Sequence, residues 1–177
     1  ETDFKRKGPS KENRKDSIVG MGLLLDANMI PIGMRMFPGN ESEKPVLRET
    51  VSSLKERNNI EGRTIQIADK GLNCAQNIIE AVNNNDGYIF SKSVKQLKDK
   101  EKLWALLDDG FVEVKDRNGN LLYKYKSCID DYKYEYTDKD GHKVSKTIKE
   151  KRVVTYNPKL AKKKNYEIDK MVEKHDL

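Results

Sequence analysis

Asp69 is the residue best placed to do chemistry. It closes the short alternating run Thr64-Ile-Gln-Ile-Ala68, which predicts a strand, and Lys70-Gly71 follow it. The carboxylate therefore stands at the carboxyl end of a strand, where the backbone turns. Ligands gather at such ends in open α/β sheets. A carboxylate there suits a hard divalent cation such as Mg²⁺. On spacing alone, the commoner use is a turn or N-cap aspartate for the helix that follows. Other chemistry-bearing types are sparse. Cys74 and Cys128 form no CxxC and read as reduced thiols. His142 and His175 are too few and too scattered for a zinc site.

The elements that must position Asp69 are legible as apolar patterns. Residues 18–25 are almost wholly apolar between Asp16 and Asp26, which reads as a strand covered on both faces. Asp26-Ala-Asn28 turns the chain into a second strand over 29–37, a β-hairpin with Pro31 near an edge or strand start. Ser42 fits a helix N-cap, with Glu43 and Pro45 in the first turn. Val46, Leu47, Thr50, Val51 and Leu54 continue that helix to about Arg57. A strand over 64–68, a helix over 75–83 and a strand over 87–90 follow. Strands alternating with helices indicate an α/β sheet that is at least partly parallel.

The character changes after about residue 93. Residues 95–109 predict a helix with Leu97, Leu103, Trp104, Leu106 and Leu107 on its apolar side. Strands over 111–115 and 121–129 flank the hairpin turn Asp116-Arg-Asn-Gly-Asn120, and a second hairpin-like pair spans 132–137 and 142–156. Seven of the eight tyrosines fall between 123 and 166. This reads as a polar antiparallel layer with one solvated face. From Pro158 a lysine-rich helix runs on. The organisation is thus an α/β part over 1–93, a β-rich part over 94–157 and a basic helix over 158–177.

The 177 residues suit one domain with a small insertion. Leu, Ile, Val and Phe make up about 23% of the chain, just above the level of about 20% where disorder becomes the default. The core must therefore be thin or concentrated. No apolar run reaches the ~20 residues needed to span a bilayer. Net charge is +6, and most of the excess lies beyond residue 82. Nucleic acid is the commonest partner of such a surface. The chain starts at Glu1 and ends within a charged helical pattern, so an excised piece of a longer cytosolic protein is expected.

Five segments in order carry a family resemblance. They are Lys7-Gly-Pro-Ser-Lys-Glu-Asn-Arg14; Ile18-Val-Gly-Met-Gly-Leu-Leu-Leu-Asp26; Ile30-Pro-Ile32; Phe37-Pro-Gly-Asn40 with Ser42-Glu-Lys44; and Ile67-Ala-Asp-Lys-Gly-Leu-Asn73. Together they resemble bacterial insertion-sequence transposases of the DDE type, closely over 5–90 and more loosely beyond. The resemblance implies a partial ribonuclease-H-like mixed sheet with flanking helices, plus a β-rich insertion of antiparallel hairpins. It makes Asp69 the second catalytic, metal-binding aspartate. It places the first aspartate before this stretch and the glutamate after the insertion. Asp3 lacks an apolar strand around it, and Glu167 and Glu173 lack the family's tyrosine–arginine spacing.

The mechanism implied is two-metal phosphoryl transfer, with two Mg²⁺ held by carboxylates in the intact enzyme. One carboxylate cannot hold both ions, so the piece alone is expected to be inactive and to bind none. DNA is the expected partner, with a homodimer as one way of completing the sheet, no membrane, and a cytoplasmic, nucleoid-associated place. Lys5, Arg6, Lys7, Lys11, Arg14, Lys15, Lys70, Lys162, Lys163 and Lys164 are candidate phosphate contacts, each with a solvated surface as its plainer reading. Phe37-Pro-Gly-Asn40 reads first as a strand-to-helix turn, and the tyrosines read first as packing. Two rival classes stay open: a non-catalytic nucleic-acid-binding module in which Asp69 only caps a helix, and an interaction domain with a merely solubilising surface.

Overall fold

The computed structural model describes residues 4–8 and 16–175, which form a mixed α/β chain with four α-helices and three small sheets. The candidate contacts Lys11, Arg14 and Lys15, and Asp3, lie outside the described residues. The chain divides into two compact units, Glu1–Ser93 with Tyr134–Lys146, and Val94–Lys133 with Thr147–Leu177.

In the first unit, β1 (Val19–Leu25) and β2 (Pro31–Pro38) form an antiparallel hairpin, with Gly20 opposite Phe37 and Leu24 opposite Gly33. Asp26 Oδ1 accepts from the amides of Asn28 and Ile30 at 2.8 Å each, which fixes the turn. The period of two sorts the side chains. On one face the Phe37 ring is buried because Gly20 has no side chain; a Cβ there would run into the ring. That face meets helix α1 (Glu43–Arg57): Leu54 Cδ1 lies 3.3 Å from where a Cβ on Gly33 would stand. The other face exposes Met21, Leu23, Met34 and Met36.

β3 (Ile65–Ala68) and β4 (Gly87–Phe90) pair in parallel, with α2 (Ala75–Asn83) between them in sequence. This is a βαβ unit, the connection that parallel strands require. α2 is the centre of the core, with Ile78, Ile79 and Ala81 buried. Each isoleucine stabilises the fold by about 2 kcal/mol through apolar burial. Ile65, Ile67 and Ile89 stay exposed, Ile67 by 76%. β1–β2 and β3–β4 are separate sheets.

A buried carboxylate ties this unit together. Asp86 accepts from Lys55 Nζ at 2.8 Å, the Thr64 amide at 2.9 Å and the Thr64 hydroxyl at 2.9 Å. Burial pushes its carboxyl up, but the bonds from Lys55 and Thr64 outweigh this and hold it below the usual carboxylate range.

The second unit opens with a 3-10 turn (Val94–Gln96) and α3 (Asp99–Leu106). The single helix expected over 95–109 is therefore broken. Lys98 sits at its N-cap in extended backbone (ψ 156), and only Ala105 of α3 is buried. β5 (Val112–Lys115), β6 (Leu121–Thr137) and β7 (Lys143–Tyr156) form one sheet in that order. β6 is one 17-residue strand where two were expected. Asp130 Oδ1 accepts from the Asp131 amide at 2.8 Å, so the acidic pair satisfies itself inside the strand instead of turning it. Exposure alternates along β7, as for a sheet with one solvated face.

α4 (Pro158–His175) starts at a true cap: Asn157 Oδ1 accepts from the amides of Lys159 at 2.9 Å and Leu160 at 3.3 Å. Ser42, by contrast, stands at the N-cap position of α1 without a side-chain bond. Among the described residues, no helix is long and apolar enough to cross a membrane.

Candidate functional site

Asp69 follows the last residue of β3, at the carboxyl end of the parallel pair. Its side chain is exposed, and Oδ1 accepts from the Gly71 amide at 2.9 Å. Its carbonyl accepts from the Leu72 amide at 3.2 Å. The carboxylate thus closes the Lys70-Gly71 turn and does not cap the amides of α2. Among the described residues Asp69 Oδ2 makes no hydrogen bond, which leaves it able to act as a ligand for a cation.

Gly71 keeps the space beside the Asp69 carboxylate open. A Cβ there would lie 3.1 Å from Asp69 Oδ1 and 3.9 Å from Glu43 Oε2. Both carboxylates therefore come close to one glycine, which spacing in the sequence did not indicate. The sign was the Ser42-Glu43 start of α1, read only as helix chemistry. For Mg²⁺, which binds through oxygen, the fit is partial: Asp69 offers one free carboxylate oxygen, fewer than a two-ion site needs.

Lys70 is exposed next to Asp69. Lys5, Arg6 and Lys7 are exposed on the segment before β1, where Arg6 and Ile18 exchange backbone bonds at 3.1 and 2.9 Å. The Phe4 carbonyl accepts from the Gly39 amide at 3.3 Å, so Phe37-Pro-Gly-Asn40 is held as a turn by backbone. Lys162, Lys163 and Lys164 are exposed on α4 in the second unit. Lys164 is engaged by Glu167 at 2.5 Å, which holds that carboxyl below its usual range.

Two further places could hold ligands. A recess of about 270 Å³ between α1, β3 and α2 is lined by Arg48, Lys55, Glu56, Gln66, Asn77 and Glu80 among others, and does not include Asp69. Arg48 is bonded to Asn77 Oδ1 at 2.5 Å and Lys55 to Asp86, so both cations on its wall serve the fold. Asp138, Asp140 and His142 bring ligand atoms within 4.8 Å of one another at the β6–β7 turn. Asp138 Oδ1 is spent on the amides of Asp140 and His142, at 3.0 and 2.8 Å, and the geometry is that of an aspartate-closed turn.

Tyr88, Tyr132, Tyr134 and Tyr136 are half-buried, whereas Tyr123, Tyr125, Tyr156 and Tyr166 are exposed. Tyr132 lies under the Arg152 guanidinium, 3.3 Å from its ring centroid, with its hydroxyl 3.6 Å from Cys128 Sγ. Trp104 takes Lys126 Nζ over its face at 5.3 Å.

Comparison of the chain with family models, with curated proteins and with solved structures finds no match.

Proposed function

We propose that this chain is part of the catalytic core of a DDE-type insertion-sequence transposase, with a ribonuclease-H-like sheet and Asp69 as a metal-binding carboxylate. The observation that carries the reading is Asp69 at the carboxyl end of a parallel β3–α2–β4 unit, within Ile67-Ala-Asp-Lys-Gly71. The bare faces support it as well. Two separate two-stranded sheets, each exposing apolar side chains, fit an arrangement in which a further strand lies between them. In that reading a preceding segment or a second copy supplies the strand.

Bound Mg²⁺ would supply Lewis-acid stabilisation of the scissile phosphate. The part of this chain is to hold one carboxylate at a fixed place, with Oδ1 tethered by Gly71 and Oδ2 open. In strand cleavage the water oxygen bonds to phosphorus as the bond to the 3′-oxygen breaks, and that oxygen takes up a proton. In strand transfer the freed 3′-hydroxyl attacks a target phosphodiester in the same way. The reading assigns the other two carboxylates to parts of the intact enzyme outside this chain, so the chain alone is inactive. DNA is the partner, and the compartment is the cytoplasm with its nucleoid.

One observation favours the non-catalytic module: Asp69 also has a purely local task in its turn. The test separates the two. Asp69→Ala and Asp69→Asn in the intact protein abolish Mg²⁺-dependent cleavage and joining, while terminal-repeat binding in a gel shift and the melting temperature hold. Near-normal cleavage by Asp69→Ala sinks the catalytic assignment. A large drop in melting temperature with normal specific activity marks Asp69 as a turn residue.

A further inference from the structure

We infer that α4 presents a lysine stripe to the phosphate backbone of duplex DNA, and that Lys164 is not part of it. This rests on the reading of the chain as a DNA enzyme. Lys159, Lys162, Lys163, Tyr166, Lys170 and Lys174 recur at offsets of 0, 3, 4, 7, 11 and 15, which places them on one side of a helix of 3.6 residues per turn. All six are exposed, and Lys170 Nζ lies 4.8 Å from the Tyr166 ring centroid, as adjacency on one face requires. Leu160, Ala161, Ile168, Met171 and Val172 fall on the opposite side, and Lys164 lies among them, paired with Glu167. Glu173 is the acid within the stripe, and Lys159 is close enough to Asp116 to help lower its carboxyl. Lys163 likewise lies close enough to Glu167 to help lower its carboxyl; Lys162, Lys163 and Lys170 hold no salt bridge among the described residues and form the middle of the stripe.

Geometry favours DNA over an anionic membrane. From Lys159 to Lys174 the stripe runs about 22 Å at 1.5 Å per residue. A duplex carries one phosphate charge per about 1.7 Å of its axis, both strands counted, so a stripe of this length lies against a dense row of negative charge. On a membrane the apolar side would enter the lipid. Lys164, paired with Glu167, lies on that side, and carrying its charge into the lipid is costly.

The test uses the 177-residue chain and a fluorescein-labelled DNA duplex of arbitrary sequence, with anisotropy read at several salt concentrations. The wild-type chain binds with a slope of log K against log salt near −5. Changing Lys162, Lys163 and Lys170 together to Gln makes the slope shallower by about 3 and weakens binding about tenfold or more at low salt. Lys164→Gln leaves the slope unchanged. Gln is as good a helix former as Lys, so circular dichroism stays the same. The same three positions changed to Arg keep the wild-type slope; loss of the slope there overturns the inference. A Gln variant with the wild-type slope overturns the stripe and leaves DNA binding standing. No duplex binding by the wild-type chain overturns both the stripe and the reading beneath it. Binding to phosphatidylserine vesicles that the Gln variant loses, with duplex binding unchanged, assigns α4 to a membrane and overturns it too.

Discussion

The two units hold together by different physics. The first has an apolar centre: Phe37, Val46, Ile78, Ile79 and Ala81 are buried, and Asp86 joins α1, β3 and the start of β4. In the second, the buried side chains among the described residues are Ala105 and, of all residues, Lys126. Its sheet is clasped by cations on aromatic rings. Lys126 Nζ lies 4.5 Å from the Phe111 ring centroid and 5.3 Å from that of Trp104, and donates to the Leu107 and Asp109 carbonyls. Lys124 pairs with Asp108 under Phe111 and Tyr156. Arg152 joins Glu101 at 2.7 Å and covers Tyr132. A chain low in large apolar residues can thus build one thin core and one layer held by long side chains.

The comparison is most easily broken in the core. Ile79→Ala should destabilise the first unit by about 3 kcal/mol, through lost burial and the cavity left behind. Hydrogen exchange should rise across α2 and β4 and stay low over residues 121–133 of β6. An effect below about 1 kcal/mol would mean that α2 is not the centre of that unit.

Lys126 gives the matching test of the second unit, with a smaller effect. Lys126→Ala loses the packed stem, the ring contacts and the donors to two carbonyls, at a cost of about 2 kcal/mol. Lys126→Met keeps most of the stem and should recover about half of that. Trp104 is the one tryptophan of the chain, so its fluorescence reports this loss directly. If Met and Ala cost the same, the charge matters and the stem does not.

Legibility followed the same division. Ile78, Ile79 and Val82 repeat at helical spacing, so α2 and the strands around it were readable from pattern alone. The Asp116-Arg-Asn-Gly-Asn120 turn was readable from its chemistry, and Asp116 Oδ1 does close it on the amides of Asn118 and Asn120. Asp86 was hidden, because Asn84-Asn-Asp-Gly87 has the composition of an exposed turn. Burial came from partners far away in sequence, Lys55 and Thr64. Lys126 was hidden for the same reason, and so was the break after Leu97, where leucines suggested one long helix. Asp69 was legible as a strand-end carboxylate, while the closeness of Glu43 to Gly71 needed the fold.

The smallest expected effect separates the units by pH, with opposite signs. The Asp86 carboxyl is lowered because hydrogen bonds from Lys55 and Thr64 outweigh its burial. An unfolded aspartate titrates near pH 4, so below that the unfolded chain takes up a proton that the folded unit refuses. Stability linked to Asp86 is therefore full above about pH 4 and is lost as pH falls through its lowered value. Tyr132 is the reverse. Burial pushes its hydroxyl up, its contact with Cys128 adds to this, and Arg152 pulls the other way without prevailing. An unfolded tyrosine titrates near pH 10, so above that the unfolded chain releases a proton that the folded unit keeps. Stability linked to Tyr132 is full below about pH 10 and is lost as pH rises. Each limb is bounded by about 1.4 kcal/mol per pH unit, the value for one proton. The measurement is chemical denaturation at a series of pH values. It follows the Ile78 and Ile79 amide peaks for the first unit and the Trp104 indole peak for the second. Asp86→Asn should flatten the acid limb of the first unit, and Tyr132→Phe the alkaline limb of the second. If both units instead weaken together at each extreme, and neither variant alters its limb, then net charge governs the response and these two groups do not.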